Sequence, residues 1–384
     1  MRIAATCLAL ATGGRLEGPG TSVLGLSRGF ILLAIMVRIL IFDWGDTVMR
    51  VFPGYAGPMA DWPEVAAVPG VEAALATLAP HHLLALATNA ADSGAALVRA
   101  ALQRVGLARY FALVFTAREL AARKPQPAFF EALLRELGCA AGEAVMIGDD
   151  YAADVAGAKA AGLRGVWFNP AAAACPDPHP LYDAVLSTMA ELPAALADIR
   201  LPDLAESLAL LAEGDVSPEL LAHCRAVAAV AFRLAGRLQA AGETVDPLLA
   251  HRGGLLHDIA KVSAKRTGQL HDELAAALLR ARGFAELADI AACHTVWAAA
   301  AGARRPVTWE QKLVYYADRL LEEDRLVGVE ARMAGMIERH PDQAEALRGY
   351  LPATLAVEAH IAGRLGMSPA ALIEWLRAEV AGGG

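Results

Sequence analysis

Residues 42–48 read FDWGDTV and follow the apolar run ILIF. An Asp exposed where a strand ends, with a small residue and a hydroxyl close behind, is how a carboxylate is presented to a phosphoryl group. A second carboxylate two residues later would serve as the proton donor, and position 45 is Gly instead. Asp46 can take that role only if the loop is shifted, because adjacent side chains leave the backbone in different directions. A positioned general acid is typically worth ~10²–10⁴-fold, so a phosphate pocket with slowed or specialised turnover is expected.

Further polar residues follow later apolar runs: Thr88-Asn89, Lys124 in RKPQP, and Asp149, Asp150 and Asp154 in GDDYAAD. Singly, each can be a helix cap or a solvated surface residue. Together, a carboxylate, a hydroxyl, a lysine and an acidic cluster make a phosphoryl-transfer set. Asp43 would attack phosphorus, Mg²⁺ held by hard oxygen ligands would neutralise the oxygens, and Lys and Thr would stabilise the remaining charge.

A second constellation lies in the other half of the chain. His223 sits in LLAHCRAVAAVAFRLAG, His257 and Asp258 in GGLLHDIAKV, His271 in GQLHDELAAALL, His294 in IAACHTV and Asp318 in LVYYADRLL. Most of these surroundings are apolar and helical, where an ionised carboxylate or an unpaired imidazole is costly unless something binds it. Each alone reads as a satisfied core residue; six together read as a transition-metal ligand set. Lys261, four residues after His257, is expected on the same helix face, as a phosphate contact. His81, His82, His179, His251, His340 and His360 share no pattern with acidic partners and are expected at the surface or in loops.

These residues need elements to position them. From residue 37, short apolar runs (RILIF, LLALAT, LVFTA, AVMIG, GVWF, DAVLS) alternate with helical stretches such as 95–106 and 127–138, which argues for βαβ units and a parallel sheet. In such sheets ligands bind beyond the carboxyl ends of the strands, where Asp43, Thr88, Lys124 and Asp149 stand. Between residues 49 and 71, and between 88 and 124, there is no room for a large cap domain. The substrate is then bulky, or another domain or subunit covers the site. After a boundary near 196–206 the periodicity is helical throughout and no further strand is expected. Ser217-Pro218 opens one helix and Gly242 closes it.

Over about residues 37–198 the motifs FDWGDTV, LATN, RKPQPAFF and VMIGDDYAADVAGAKAAGL resemble the haloacid dehalogenase superfamily. The resemblance implies Asp43 as nucleophile and Mg²⁺ ligand, with Gly45 giving only its carbonyl to the metal. It also implies Thr88, Asn89 and Lys124 holding phosphate, and Asp149 ligating the metal with Asp150 or Asp154 in support. Over about 217–329 the segment LLHDIAK and the order His, His-Asp, His, His, Asp resemble the HD-domain metal-dependent phosphohydrolases. That resemblance implies His223, His257, Asp258 and Asp318 on one metal, with Asp258 bridging to a second held by His271 and His294. The metals implied are one or two of Fe, Mn, Co or Zn. The layout is nearer to small HD hydrolases that cut nucleotides such as diadenosine tetraphosphate than to cyclic-dinucleotide hydrolases.

Composition sets the outer bounds. The chain has 384 residues, 56% of them hydrophobic, and a formal net charge of -8, which offers no basic field for a nucleic-acid backbone. Five Cys form no CxxC pair, which suits a reducing cytoplasm. The expected organisation is a tail or misplaced start over 1–35, an α/β doubly wound domain of haloacid dehalogenase type over 36–198, a linker at 199–206 and an all-α HD domain over 207–384. The run FILLAIMVRILIF is too short to span a bilayer and is cut by Arg38. The expected function is a two-domain phosphohydrolase acting on a small phosphorylated metabolite or nucleotide, free of membranes and open to oligomerisation. In the alternative, the first half is a weakly catalytic phosphate sensor that regulates the second.

Overall fold

All six apolar runs become strands of one parallel sheet. In the computed structural model, which describes residues 37–300 and 302–381, these are β1 (Ile39–Phe42), β2 (Leu83–Thr88), β3 (Leu113–Thr116), β4 (Ala144–Gly148), β5 (Arg164–Phe168) and β6 (Ala184–Leu186). Their order is β3-β2-β1-β4-β5-β6, and every neighbouring pair is parallel. Such a sheet is covered on both faces. Leu40 and Phe42 join one core with Leu86 and Ile147, while Ile39 and Ile41 join another with Ala87 and Met146. The alternation has the period of two that a strand imposes. Around the sheet run α1 (Val71–Leu78), α2 (Ala95–Arg104), α3 (Ala117–Leu120), α4 (Pro127–Leu137), α5 (Gly157–Ala160) and α6 (Leu192–Ala197), with a π-helical turn at Tyr151–Ala156. The tail expected over 1–35 lies outside the described residues.

The second half is helical. Its elements are α7 (Leu204–Glu213), α8 (Pro218–Ala240), α9 (Pro247–Leu256), α10 (Lys261–Thr267), α11 (His271–Ala281), α12 (Ala285–Ala291), α13 (Trp309–Leu320), α14 (Val329–Arg339), α15 (Ala344–Arg364) and α16 (Pro369–Ala381). Residues 204–206, expected in the linker, form the first turn of α7, capped by Asp203, whose carboxylate accepts from the Glu206 N–H. A further departure is a two-residue antiparallel ladder, β7 (Leu321–Glu322) with β8 (Arg325–Leu326), where no strand was expected. Two residues are too few to show any periodicity.

α8 opens as its residues dictate, with the Ser217 hydroxyl accepting from the Leu220 N–H and Pro218 at the first helical position. α9 packs unusually close to it. A Cβ at Gly254 would lie 2.8 Å from the Ala228 Cα, and one at Gly253 would lie 2.7 Å from Ile290. Gly254 lets the end of α9, where His257 and Asp258 sit, approach α8, which carries His223, and Gly253 lets it approach α12.

The described residues belong to one compact unit, and the contact between its halves corrects one expectation. His251 is fully buried within α9, neither at the surface nor in a loop, whereas His179 lies half-buried in a loop. Arg252, also fully buried, donates to the carbonyls of Pro202 and Pro180 at 3.0 and 3.1 Å and to His251 Nδ1 at 2.7 Å. An arginine can only donate, so His251 carries its proton on Nε2 and donates it to His179 Nδ1 at 2.9 Å. Val155, Trp167 and Tyr182 from the sheet half pack with Phe232 of α8, and Lys159 bridges Asp183 and Asp203.

Two candidate metal centres

The carboxyl ends of β1 and β4 are adjacent, since Phe42 pairs with Ile147 and the Asp43 N–H donates to the Ile147 carbonyl at 2.8 Å. Asp43 and Asp149 therefore leave the sheet side by side. Asp154 arrives from the π-helical turn and lies across Gly148, where any Cβ would overlap its carboxylate. Asp43, Asp149 and Asp154 each offer a ligand atom within 4.8 Å of the others. Lys124, only 3% exposed, reaches Asp43 Oδ1 and Asp154 Oδ1, both at 2.5 Å. Burial pushes the Asp154 carboxyl up to about 7, the charge of Asp43 adds to this, and Lys124 offsets part of it. Burial also raises Asp149. Burial works against the Lys124 ammonium, but Asp43 and Asp154 outweigh it and raise its pKa. One lysine among three crowded carboxylates leaves a surplus of negative charge, which suits a divalent cation.

The neighbours hold this arrangement in place. Thr47, the hydroxyl close behind Asp43 in FDWGDTV, donates to Asp149 Oδ1 at 2.9 Å and accepts from the Asp149 N–H. Asn89 uses both ends of its amide on the main chain of Lys124, at 2.8 and 2.9 Å, and so positions the lysine. Thr88 is buried at the end of β2, and its hydroxyl accepts from the Ala90 N–H. Asp150 caps the turn through the Ala152 and Ala153 N–H groups, leaving Asp154 as the cluster member. Asp46 is exposed, has a φ of 52°, and accepts from the Val51 N–H at 2.9 Å.

In the helical half, side chains 95 residues apart in sequence converge. His223 comes from α8, His257 and Asp258 from the end of α9, His271 from the start of α11, His294 from just beyond α12 and Asp318 from α13. Three imidazoles are held alike: Nδ1 of His223, His257 and His294 each donate at 2.7 Å to a backbone carbonyl, those of Glu323, Gly254 and Ala291. The Nε2 atoms of His257 and His294 are thereby left as acceptors, while Asp318 raises the pKa of His223 against its burial. His223 Nε2 lies 3.1 Å from Asp318 Oδ1, His294 Nε2 3.1 Å from His271 Nε2, and Asp258 Oδ1 lies 3.4 Å from His294 and 3.5 Å from His271. His257 Nε2 and Asp258 Oδ1 are buried without a hydrogen-bond partner. Buried, unpartnered lone pairs facing one another fit a metal, and a carbonyl behind each imidazole is the usual outer support of a ligand histidine. Burial keeps His257 neutral and, with His294 adding to it, lowers His271 to about 4, the state a ligand must have.

A model of the haloacid dehalogenase-like hydrolases matches residues 38–162, and a model of the HD domain matches residues 220–323. The chain joins a haloacid dehalogenase-like hydrolase domain to an HD domain. A ribulose-1,5-bisphosphate 5-phosphatase of Halopiger xanaduensis is 39% identical over 108 residues, 28% of this chain and 44% of that one. A phosphoserine phosphatase of Thermus thermophilus is 41% identical over 102 residues, 26% of this chain and 40% of that one. An uncharacterised protein of Methanocaldococcus jannaschii is 35% identical over 120 residues, 27% of this chain and 68% of that one. The chain thus spans less than half the length of the two phosphatases. No helix among the described residues is long and apolar enough to cross a membrane.

In the HD domain, Lys261 departs from its expected placement. A turn separates it from α9, so it shares no helix face with His257; as the first residue of α10 it reaches Asp258 Oδ2 at 2.5 Å. Lys261 and every member of the ligand cluster except His257 line a cavity of about 840 Å³. Sequence reasoning missed the cationic wall of that cavity, which includes Arg319 and Arg332. Arg319 directly follows Asp318 in YADRLL, which was the one available signal.

Proposed function

We propose that the chain is a metal-dependent phosphohydrolase whose HD domain hydrolyses a phosphoester or phosphoanhydride, with a nucleotide-sized substrate in the 840 Å³ cavity. The observation that carries this reading is the pair of buried, unpartnered ligand atoms, His257 Nε2 and Asp258 Oδ1, facing further imidazoles and a carboxylate. His223, His257, Asp258 and Asp318 would hold one divalent ion, with Asp258, His271 and His294 holding a second. Such ions, when bound, supply charge for the phosphoryl oxygens and lower the pKa of water. The side chains contribute the rest. The carbonyls behind the three imidazoles fix their direction, and Lys261, with its side chain 37% exposed, stands between Asp258 and the cavity as a contact for phosphate.

In the haloacid dehalogenase-like domain, Asp43 would attack phosphorus and form an aspartyl phosphate as the bond to the leaving alkoxide breaks, the alkoxide taking a proton from solvent. Water would then cleave the acyl phosphate to free phosphate and the Asp43 carboxylate. Lys124 would hold the attacking carboxylate and the phosphoryl oxygens, and Mg²⁺ would sit among Asp43, Asp149 and Asp154. The two phosphatase relatives support a phosphorylated small molecule as its ligand. A specific observation favours the second reading, in which this domain binds phosphate and regulates the other. Gly45 carries no proton donor, and the nearest carboxylate, Asp46, is engaged by the Val51 N–H. Both readings are tested by aryl phosphate turnover in the full chain carrying Asp43→Asn or His257→Ala. If two active sites are present, each substitution removes a separate share of the rate. If the first domain is a sensor, Asp43→Asn removes no share of its own and changes the rate of the HD domain. Full turnover in both variants would refute the assignment.

A further inference from the structure

We infer that Trp167 is a positioning residue for Asp149 and that the HD domain, through Phe232 of α8, holds Trp167 in place. Cation binding among Asp43, Asp149 and Asp154 then depends on the second domain. The inference rests on the cation reading of that aspartate cluster and adds what sets its geometry.

Asp149 stands one residue past the end of β4. Its main chain is held there by side chains: the N–H donates to the Thr47 hydroxyl at 3.1 Å, and the carbonyl accepts from Trp167 Nε1 at 3.0 Å. β5 delivers the indole, since Trp167 pairs with Gly148, the residue before Asp149. Thr47 belongs to the nucleophile loop and is local to the site. Trp167 is not, because its ring lies in the contact between the domains.

That ring meets Tyr151 edge-on, with centroids 5.1 Å apart, and lies tilted against Tyr182 at 6.0 Å. Val155 and Phe232 complete the buried cluster, and Leu248 of α9 packs at its edge. Segment 149–155 therefore has two faces. Asp149 and Asp154 offer ligand atoms to the cation site, while Tyr151 and Val155 enter the cluster that Phe232 closes from the HD side. Val155 is seated so closely on β5 that a Cβ at Gly165 would lie 3.3 Å from its Cγ1. Docking the domains needs only apolar rings, which a Phe at position 167 would supply. The indole N–H adds a bond to the residue that carries the ligand. Packed interiors transmit strain, so a cavity opened at Phe232 reaches Asp149 through Trp167.

The test is isothermal titration of the full chain with Mg²⁺, following the binding component that Asp43→Asn removes. Trp167→Phe keeps the ring and loses the N–H, and should weaken that component about fivefold, the scale of one neutral hydrogen bond. Phe232→Ala, in the other domain, should weaken it by a similar factor, and Phe232→Leu, which refills the volume, should restore the parent's affinity. Circular dichroism at the titration temperature checks that each variant is folded. Leu248→Ala keeps the second half of the inference open to test should Phe232→Ala fail to fold. A component that Trp167→Phe leaves unmoved overturns the positioning role. One that Trp167→Phe weakens, but that neither Phe232→Ala nor Leu248→Ala moves, overturns the dependence on the HD domain. A parent with no Mg²⁺ component removed by Asp43→Asn refutes the cation reading itself, a result distinct from a component that is present and unmoved.

Discussion

Val51 fills the space that a side chain at position 45 would need: its Cγ2 lies 3.1 Å from where a Cβ on Gly45 would stand. The missing carboxylate is therefore built into the packing of the loop, which Asp46 closes by accepting from the Val51 N–H. Gly45→Asp alone has to displace a stiff β-branched neighbour. The expected outcome is a small gain in aryl phosphate turnover for Gly45→Asp and a larger one for Gly45→Asp with Val51→Ala, approaching part of the ~10²–10⁴-fold that a general acid supplies. The gain should appear in kcat rather than KM, because the acid acts on the leaving oxygen in the transition state. No gain in either variant would mean that position 45 does not limit the rate.

Lys124 carries a stability prediction. Its ammonium is the one cation that Asp43 and Asp154 contact in the described residues. Lys124→Met would leave two crowded carboxylates without it. Breaking a buried pair from one side typically costs about 3–5 kcal/mol, less here because the Asp43 side chain is 14% exposed. A clear fall in thermal midpoint is expected, with partial recovery on adding Mg²⁺. A midpoint that falls and ignores Mg²⁺ would argue against a cation site among these aspartates.

Most of the parallel sheet was legible because a strand buried on both faces leaves a continuous apolar run, as in ILIF and AVMIG. The candidate metal-ligand cluster was legible for a related reason: His257-Asp258 and Asp318 stand in apolar helical sequence, where a buried charge or imidazole calls for a partner. What the sequence hid were pairings between distant segments. Nothing near His251 announces His179, 72 residues away, and a search confined to acidic partners overlooks a histidine paired with another histidine. Asn89, which the resemblance implies as a phosphate contact, turns its amide to the main chain of Lys124. The spacing of Lys261 from His257 suggested one helix face, yet the chain turns between them.

Metal content gives a direct check on the HD centre. Asp258 is common to two of the candidate ligand groups, one with His223 and His257 and one with His271 and His294. Asp258→Asn should therefore lower the content of both ions, whereas His271→Ala should lower only one. Elemental analysis of the purified variants decides this. Equal losses in the two variants would remove the bridging role from Asp258.

The last prediction concerns acid and the contact between the halves. Burial lowers the pKa of His179 to about 4 and that of His251 well below the usual 6.5, with Arg252 adding to both shifts and Arg225 doing the same. Asp177 opposes the shift of His179 without overcoming it. The folded chain therefore refuses protons that the unfolded chain accepts, so unfolding is favoured as protons become available. Above about pH 6.5 both states hold the imidazoles neutral and no penalty exists; it grows as pH falls from about 6.5 toward 4. Geometry explains the refusal. His251 Nδ1 already accepts from Arg252, and His179 Nδ1 accepts from His251, so a proton on either acceptor breaks a bond. Chemical denaturation at stepped pH should show stability declining across that window. His179→Asn keeps an acceptor for the His251 N–H and removes a titrating group, so it should flatten the decline. If the acid limb of the variant matches that of the parent, His179 is not its source.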